Sequence, residues 1–171
     1  RELKKRKVQL FLNTQITKWS AVAGGVRATL ESGEELVADT MLISVGRRMN
    51  SGRLGLDAVG VNLGTRDEIL VNEKLETSVP GIYAIGDVTG KSMLAHVASA
   101  QGKVAASNAM GQSQSINYEV IPAGIFTLPE IGRVGLTEAQ ARERGLDIAV
   151  GRFRYAGLGK AQAVGETTGQ Y

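Results

Sequence analysis

The residues best placed to do chemistry lie near the middle of the chain. Gly86-Asp87 closes an apolar run, Ile82-Tyr83-Ala84-Ile85, and an Ala-rich segment follows at about 94–110. This order predicts a strand, a loop and a helix. In open α/β architectures ligands gather beyond the carboxyl ends of the strands. Gly86 lets a ligand approach the backbone with no Cβ in the way. The Asp87 carboxylate can accept hydrogen bonds from a sugar or ribitol hydroxyl. The helix turns its unpaired N–H groups toward the same crevice, which favours an anion or a developing negative charge. An Asx turn that merely closes a strand has the same dipeptide, so the pair alone leaves both readings open.

What the chain lacks limits the chemistry further. Its 171 residues contain no Cys and one His, His96. That excludes a disulfide, a thiolate nucleophile and a Cys-ligated metal within this chain. It also excludes a zinc site built on several His. A Ser/His/Asp hydrolase would have to use His96. The 20 Lys and Arg against 17 Asp and Glu give a formal net charge of +3, far from the dense basic stripe of a nucleic-acid domain. No apolar run approaches the roughly 18 residues of a membrane span. The composition, 43% hydrophobic and 22% charged, is that of a folded globular protein.

The elements that must position these residues follow from periodicity. Residues 1–7, rich in Lys and Arg, predict the end of a helix, where basic side chains meet the negative end of the dipole. A nucleic-acid patch or a targeting signal is the other reading. Residues 8–45 predict β-structure. Val8, Leu10 and Leu12 alternate, Gly24-Gly25 marks a turn, and Val26, Ala28 and Leu30 alternate again before a turn at Ser32-Gly33-Glu34. Thr40–Val45 is nearly all apolar and predicts a strand buried on both faces. It ends at Gly46-Arg47-Arg48. A short strand pair is expected around Val61, Leu63, Ile69 and Val71. The helix at 94–110 should close at Gly111, with Ala95, Ala98, Gly102, Ala105, Ala106 and Ala109 as a stripe for close packing. A polar stretch at 111–117 predicts a domain boundary. Strands are expected at 121–126 and 132–136. A capping box, Thr137 to Gln140, should start a helix that ends near Gly145. Further strands are expected at 148–155 and 161–166, with a turn at 167–169. The last strand lacks a partner, and the chain is read as cut at both ends.

Taken together, several of these segments have a familiar order and spacing. They are Gly46-Arg47-Arg48, then Val79 to Asp87, Met93-Leu94-Ala95-His96, Phe126 to Glu130 and Val134 to Glu138. The chain resembles the pyridine nucleotide–disulfide oxidoreductase family over essentially its whole length. Met93-Leu94-Ala95-His96 is most similar to the dihydrolipoamide dehydrogenase subfamily. The resemblance implies an α/β fold, part of the FAD- and NAD(P)-binding Rossmann-like domains followed by the first half of an α+β interface (dimerisation) domain. It divides the chain at 1–46, the end of the NAD-binding domain, 47–117, the second segment of the FAD-binding domain, and 118–171, the truncated interface domain.

The same resemblance assigns roles. Asp87 would hold the FAD ribitol after Gly86. The backbone at Met93, Leu94 and Ala95 would face the flavin pyrimidine edge, and His96 would complete that contact. A purely structural role at the helix start is the other reading of His96. Gly46 would lie against NAD, and Arg47 would support the region between the two cofactors. Met49 stands where the family has Pro, and Leu128 where lipoamide members often have His. The resemblance also implies a homodimer, components of a 2-oxo acid dehydrogenase complex as partners, no nucleic acid or membrane, and a cytoplasmic or mitochondrial-matrix location. The redox Cys pair, the acid/base His and the Gly-x-Gly-x-x-Gly phosphate loops have no match in the chain, so no catalytic residue is expected here and the chain alone is expected to be inert. Another disulfide or mercuric reductase, or a non-catalytic dimerisation or binding module, are the alternatives.

Overall fold

The computed structural model describes residues 2–170. The chain forms two units, Arg1–Arg47 and Arg48–Tyr171. Among the described residues, every strand pairing is antiparallel.

The first unit opens with a single helical turn, α1 (Glu2–Lys5), with Glu2 at its start and Lys4 and Lys5 at its end. A three-stranded meander follows: β1 (Ile16–Val22), β2 (Gly25–Leu30) and β3 (Glu35–Ala38), in that spatial order. β2 is central and pairs Ala28 with Trp19 on one side and with Leu36 on the other. Its alternation holds: Ala28 and Leu30 are buried, and Val26 is half-buried on the same face. Two expected strands do not form. Val8–Leu12 pairs with nothing described, and Leu12 is exposed. Thr40–Val45 is likewise unpaired, with Leu42 88% and Val45 93% exposed. An apolar run becomes a strand only where a neighbour supplies the other half of the ladder. Among the described residues none does so.

The second unit is organised by one helix, α2 (Ala95–Ala109). Val97, Gln101, Val104, Ala105 and Asn108 are buried. They fall at i, i+4, i+7, i+8 and i+11, one face of a 3.6-residue period. Val104 and Ala105 pack on Leu75, flanked by Val71, Tyr83 and Ile116. A second cluster, Val61, Ile69 and Ala84, gathers Leu56, Val79, Ile82 and Val88 around it. Gly111 ends the helix as expected. Its φ is +87°, its N–H donates to Asn108 O (3.0 Å), and Gln112 N–H donates to Ser107 O (3.0 Å), the paired bonds of a left-handed helix stop. The small-residue stripe packs only in part: Ala105 is buried and Ala98 and Gly102 are half-buried, whereas Ala95, Ala106 and Ala109 are exposed. A Cβ on Gly102 would sit 3.4 Å from Ile85 Cδ1, and one on Gly86 3.5 Å from Ala98 Cβ.

The loops before α2 are tied by side chains. Leu63 and Ile69 pair in one antiparallel bridge, as the sequence predicts in outline. The strand expected at 82–85 reduces to a single bridge, Glu76 with Tyr83. Its backbone is satisfied instead by a loop: Ala84 N–H donates to Leu75 O (3.1 Å), and Thr77 N–H to Ile82 O (2.8 Å). Ser51, 1% exposed, donates to Asp67 O at 2.6 Å. Met49 is buried, with its Cε beside Gly90. An apolar anchor thus stands where the related pattern has Pro.

Beyond α2, β4 (Ala123–Ile125) pairs with β5 (Ile131–Arg133). The capping box forms as expected, and Thr137 and Gln140 close it at the start of α3 (Glu138–Glu143). The segment at 148–155 is not a strand, apart from a bridge between Arg154 and Gln170. The strand expected at 161–166 is instead a helix, α4 (Gly159–Val164). Ala161 and Ala163 favour helix, and Gly165 at φ +73° stops it. No turn is assigned at 167–169, and Gln170 beyond it forms the bridge to Arg154.

Asn108 shows what holds this unit together. Its Nδ2 donates to Lys74 O and Gln114 O (2.9 Å each), and its Oδ1 accepts from Gln114 N–H (2.7 Å). Asn108→Ala should cost about 2–3 kcal/mol in denaturant unfolding, since it removes three hydrogen bonds between a buried amide and loop backbone. Arg48→Ala breaks only an exposed pair with Asp67, 2.6 Å apart and 84% exposed on the Arg side, and should change stability by no more than about 0.5 kcal/mol. At Glu68 the carboxylate accepts from its own backbone N–H and from Arg66 N–H (2.8 Å), which holds its pKa below the ordinary glutamate value. A depressed folded pKa stabilises above the ordinary glutamate pKa and loses that contribution as pH falls through the folded value. An NMR titration should place the Glu68 midpoint below that of a free glutamate, and a midpoint above it would contradict this.

Candidate functional site

Gly86 is clamped from both sides. Its φ is +77°, a conformation that favours glycine. Its N–H donates to Gln101 Oε1 at 2.5 Å, and its carbonyl accepts from Thr89 Oγ1 at 2.9 Å. Gln101 is 0% exposed and Thr89 is buried. Asp87 follows at once, exposed in the first turn of the 3-10 segment Gly86–Thr89. Gly90, also left-handed, closes that turn by donating to Asp87 O (3.0 Å). The clamp sets the backbone, and the backbone presents the carboxylate.

The start of α2 supplies the other half of the site. Leu94 is extended (φ −126°, ψ 131°) and gives no side-chain cap. The first-turn N–H groups are therefore left to other acceptors, at the positive end of a 15-residue helix. Met93 and Leu94 are half-buried, and Ala95 and His96 are exposed. His96 Nε2 lies 2.9 Å from the Pro122 carbonyl. A carbonyl only accepts, so Nε2 carries the proton. His96 thereby ties the start of α2 to the segment before β4. Asp87 and Met93–His96 all belong to the second unit. Gly46 (φ +116°) and Arg47 are both exposed in the first.

Sequence reasoning missed Gln101, Thr89, Tyr118 and Asn108. Gln101 Nε2 donates to Tyr118 Oη at 2.9 Å, so one buried amide joins Gly86 to the segment after the polar stretch. The available signal was positional. Gln101 and Asn108 interrupt the face that Val97, Val104 and Ala105 make apolar, and a polar residue on such a face must find partners. Beside this network lies a groove of about 210 Å³ lined by Lys91, Ser92, Leu94, Tyr118 and Arg133 among others. Lys91 Nζ sits 5.5 Å from the Tyr118 ring centroid. Among the described residues no cluster of His, Cys, Asp and Glu is arranged to hold a metal ion.

The chain belongs to the pyridine nucleotide-disulphide oxidoreductase family. The model of that name matches residues 1–102, and the model of the family's dimerisation domain matches 121–171. Members of the family use FAD and NAD(P). Similar curated proteins are dihydrolipoyl dehydrogenases. That of Bacillus subtilis (strain 168) is 43% identical over 99% of this chain and 37% of its own length. That of Chlamydia muridarum (strain MoPn / Nigg) is 41% identical over 95% of this chain and 35% of its own. Among solved structures, LpdA of Mycobacterium tuberculosis superposes with a TM-score of 0.90 at 29% identity, covering 97% of this chain and 36% of that one. The HOCl-induced flavoprotein disulfide reductase RclA of Escherichia coli gives 0.88 at 28%, covering 99% of this chain and 39% of that one. The chain thus spans little more than a third of the length of these relatives.

The Nε2–H assignment is directly measurable. A long-range 1H–15N spectrum above neutral pH should show His96 as the Nε2–H tautomer, and an Nδ1–H tautomer would contradict the tether to Pro122.

Proposed function

We propose that this chain carries the cofactor-facing middle of an NAD-dependent, FAD-containing disulfide oxidoreductase of the dihydrolipoamide dehydrogenase type. The observation that carries the reading is the 38–43% identity to dihydrolipoyl dehydrogenases across 95–99% of the chain. The residues fit the cofactor. Gly86 turns its missing Cβ toward Ala98 of α2 and not toward a ligand, and it supplies the left-handed turn, while Asp87 offers an exposed acceptor and α2 offers uncapped N–H donors. FAD, when bound, supplies a two-electron carrier between a dithiol and a pyridine nucleotide.

On this reading Asp87 holds the ribitol hydroxyls. The backbone at Met93, Leu94 and Ala95 faces the pyrimidine edge, where the helix N-terminus stabilises negative charge. His96 fixes that helix start through Pro122. Gly46 lies against NAD, and Arg47 supports the region between the cofactors. Residues 1–46 end an NAD-binding domain, 47–117 belong to an FAD-binding domain, and 118–171 begin an interface domain. The reaction as a whole takes two electrons and two protons from a dithiol, leaving its disulfide, and gives NADH and a proton. The thiol–disulfide exchange and acid–base steps need a Cys pair and a His. This chain has no Cys, and its one His is bound to Pro122, so those groups come from elsewhere in the protein. A homodimer and the components of a 2-oxo acid dehydrogenase complex are the partners this reading implies, and cytoplasm or mitochondrial matrix the location. No described helix is long and apolar enough to cross a membrane.

The likeness to RclA keeps a second substrate in view, another disulfide, because the residues here face cofactor rather than substrate. The test is to assay the complete gene product and the isolated 171-residue chain side by side. The complete product should reduce NAD with dihydrolipoamide, and the isolated chain should not. Turnover by the isolated chain would contradict the reading, as would a complete product that acts on glutathione disulfide or mercuric ion but not on dihydrolipoamide.

A further inference from the structure

We infer that Gln101 is a positioning residue for the flavin, acting through the backbone that presents Asp87. The inference rests on the reading of Asp87 given above. Its ground is the chemistry of one buried amide. Gly86 N–H can only donate, so the group facing it must be Oε1. The amide orientation is thereby fixed, and Nε2 faces Tyr118 Oη as a donor. The Tyr118 oxygen accepts that bond, and its own proton points elsewhere. Thr89 holds the Gly86 carbonyl from the opposite side. The peptide groups on both sides of Gly86 are therefore pinned by side chains that solvent does not reach. The next residue is the exposed carboxylate.

A side chain that only stabilised α2 would have no reason to reach Gly86. Asn108 provides the comparison. It is buried on the same helix face and equally well bonded, but its partners are Lys74 and Gln114, which carry no proposed cofactor contact. Gln101 and Asn108 therefore separate a positioning role from a structural one within a single helix.

The experiment is an FAD titration of the apo form of the complete gene product, followed by flavin fluorescence, with thermal unfolding run in parallel. Gln101→Met keeps the length of the side chain and removes the acceptor. It should weaken FAD binding roughly tenfold. Gln101→Glu keeps an acceptor for Gly86 N–H and accepts from Tyr118 in place of donating, so it should bind FAD within about twofold of the wild type. Asn108→Ala should lower the unfolding temperature and leave FAD affinity unchanged. Because Gln101 acts through Asp87, the loss caused by Gln101→Met should shrink on an Asp87→Ala background. If Gln101→Met does not fold, Thr89→Val against Thr89→Ser reads the same clamp from its other side, with weakened binding expected only for Val. Unchanged FAD affinity in Gln101→Met, or in Thr89→Val, overturns the inference. So does equal loss in Gln101→Met and Gln101→Glu. Weakened binding in Asp87→Ala with normal binding in Gln101→Met defeats this inference alone. Normal binding in Asp87→Ala defeats the site reading and this inference with it.

Discussion

The N–H of Gly86 lies inside the protein, where a donor without an acceptor costs about 1–3 kcal/mol, and the Gln101 amide is the acceptor it has. Much of the second unit depends on that bond. It requires α2 to lie close to residues 85–86, which only small residues allow: Ala98 meets Gly86, and Gly102 meets Ile85. It requires the left-handed backbone at Gly86 that turns the chain and exposes Asp87. It extends through Nε2 to Tyr118, so the segment leading to β4 is tied to the same helix. His96 adds a second tie, at Pro122.

These constraints explain why a helix with a weak apolar stripe can organise the unit. Its buried face mixes Val97, Val104 and Ala105 with two amides. Burial of three aliphatic side chains gives the driving force, and the amides give specificity. Each amide satisfies loop groups that regular structure leaves unpaired: Gln101 the Gly86 N–H, Asn108 the Lys74 and Gln114 carbonyls and the Gln114 N–H. A hydrophobic isostere at Gln101 would pack and still leave the buried Gly86 N–H without its acceptor, and one at Asn108 would release the loop backbone of Lys74 and Gln114 from the helix. The loops that carry the candidate site are therefore held by side chains more than by strand ladders.

The sequence was most legible where one residue's chemistry decides the backbone. Gly111 stops α2, Thr137 and Gln140 close a capping box, and the alternation of Val26, Ala28 and Leu30 turns one face of β2 inward. It was least legible where structure depends on a neighbour. Thr40–Val45 has the composition of a buried strand and stands unpaired among the described residues, because a ladder needs two strands. In residues 159–164 small residues alternate with the polar Lys160 and Gln162, a pattern that suits either period, and the stop at Gly165 settles them as helix. At the site, Gly86, Asp87 and His96 were visible as types at telling positions. Gln101 was not, because its meaning lies in a backbone group fifteen residues away.

The central claim is that Asp87 and the start of α2 face one flavin. The most direct measurement is a crystal structure of the complete gene product with its bound cofactor. The account predicts the Asp87 carboxylate on the ribitol hydroxyls and the N–H groups at Leu94 and Ala95 toward the pyrimidine edge, with Gly86 still held by Gln101. A flavin bound away from Asp87, or a folded product that binds none, would contradict it.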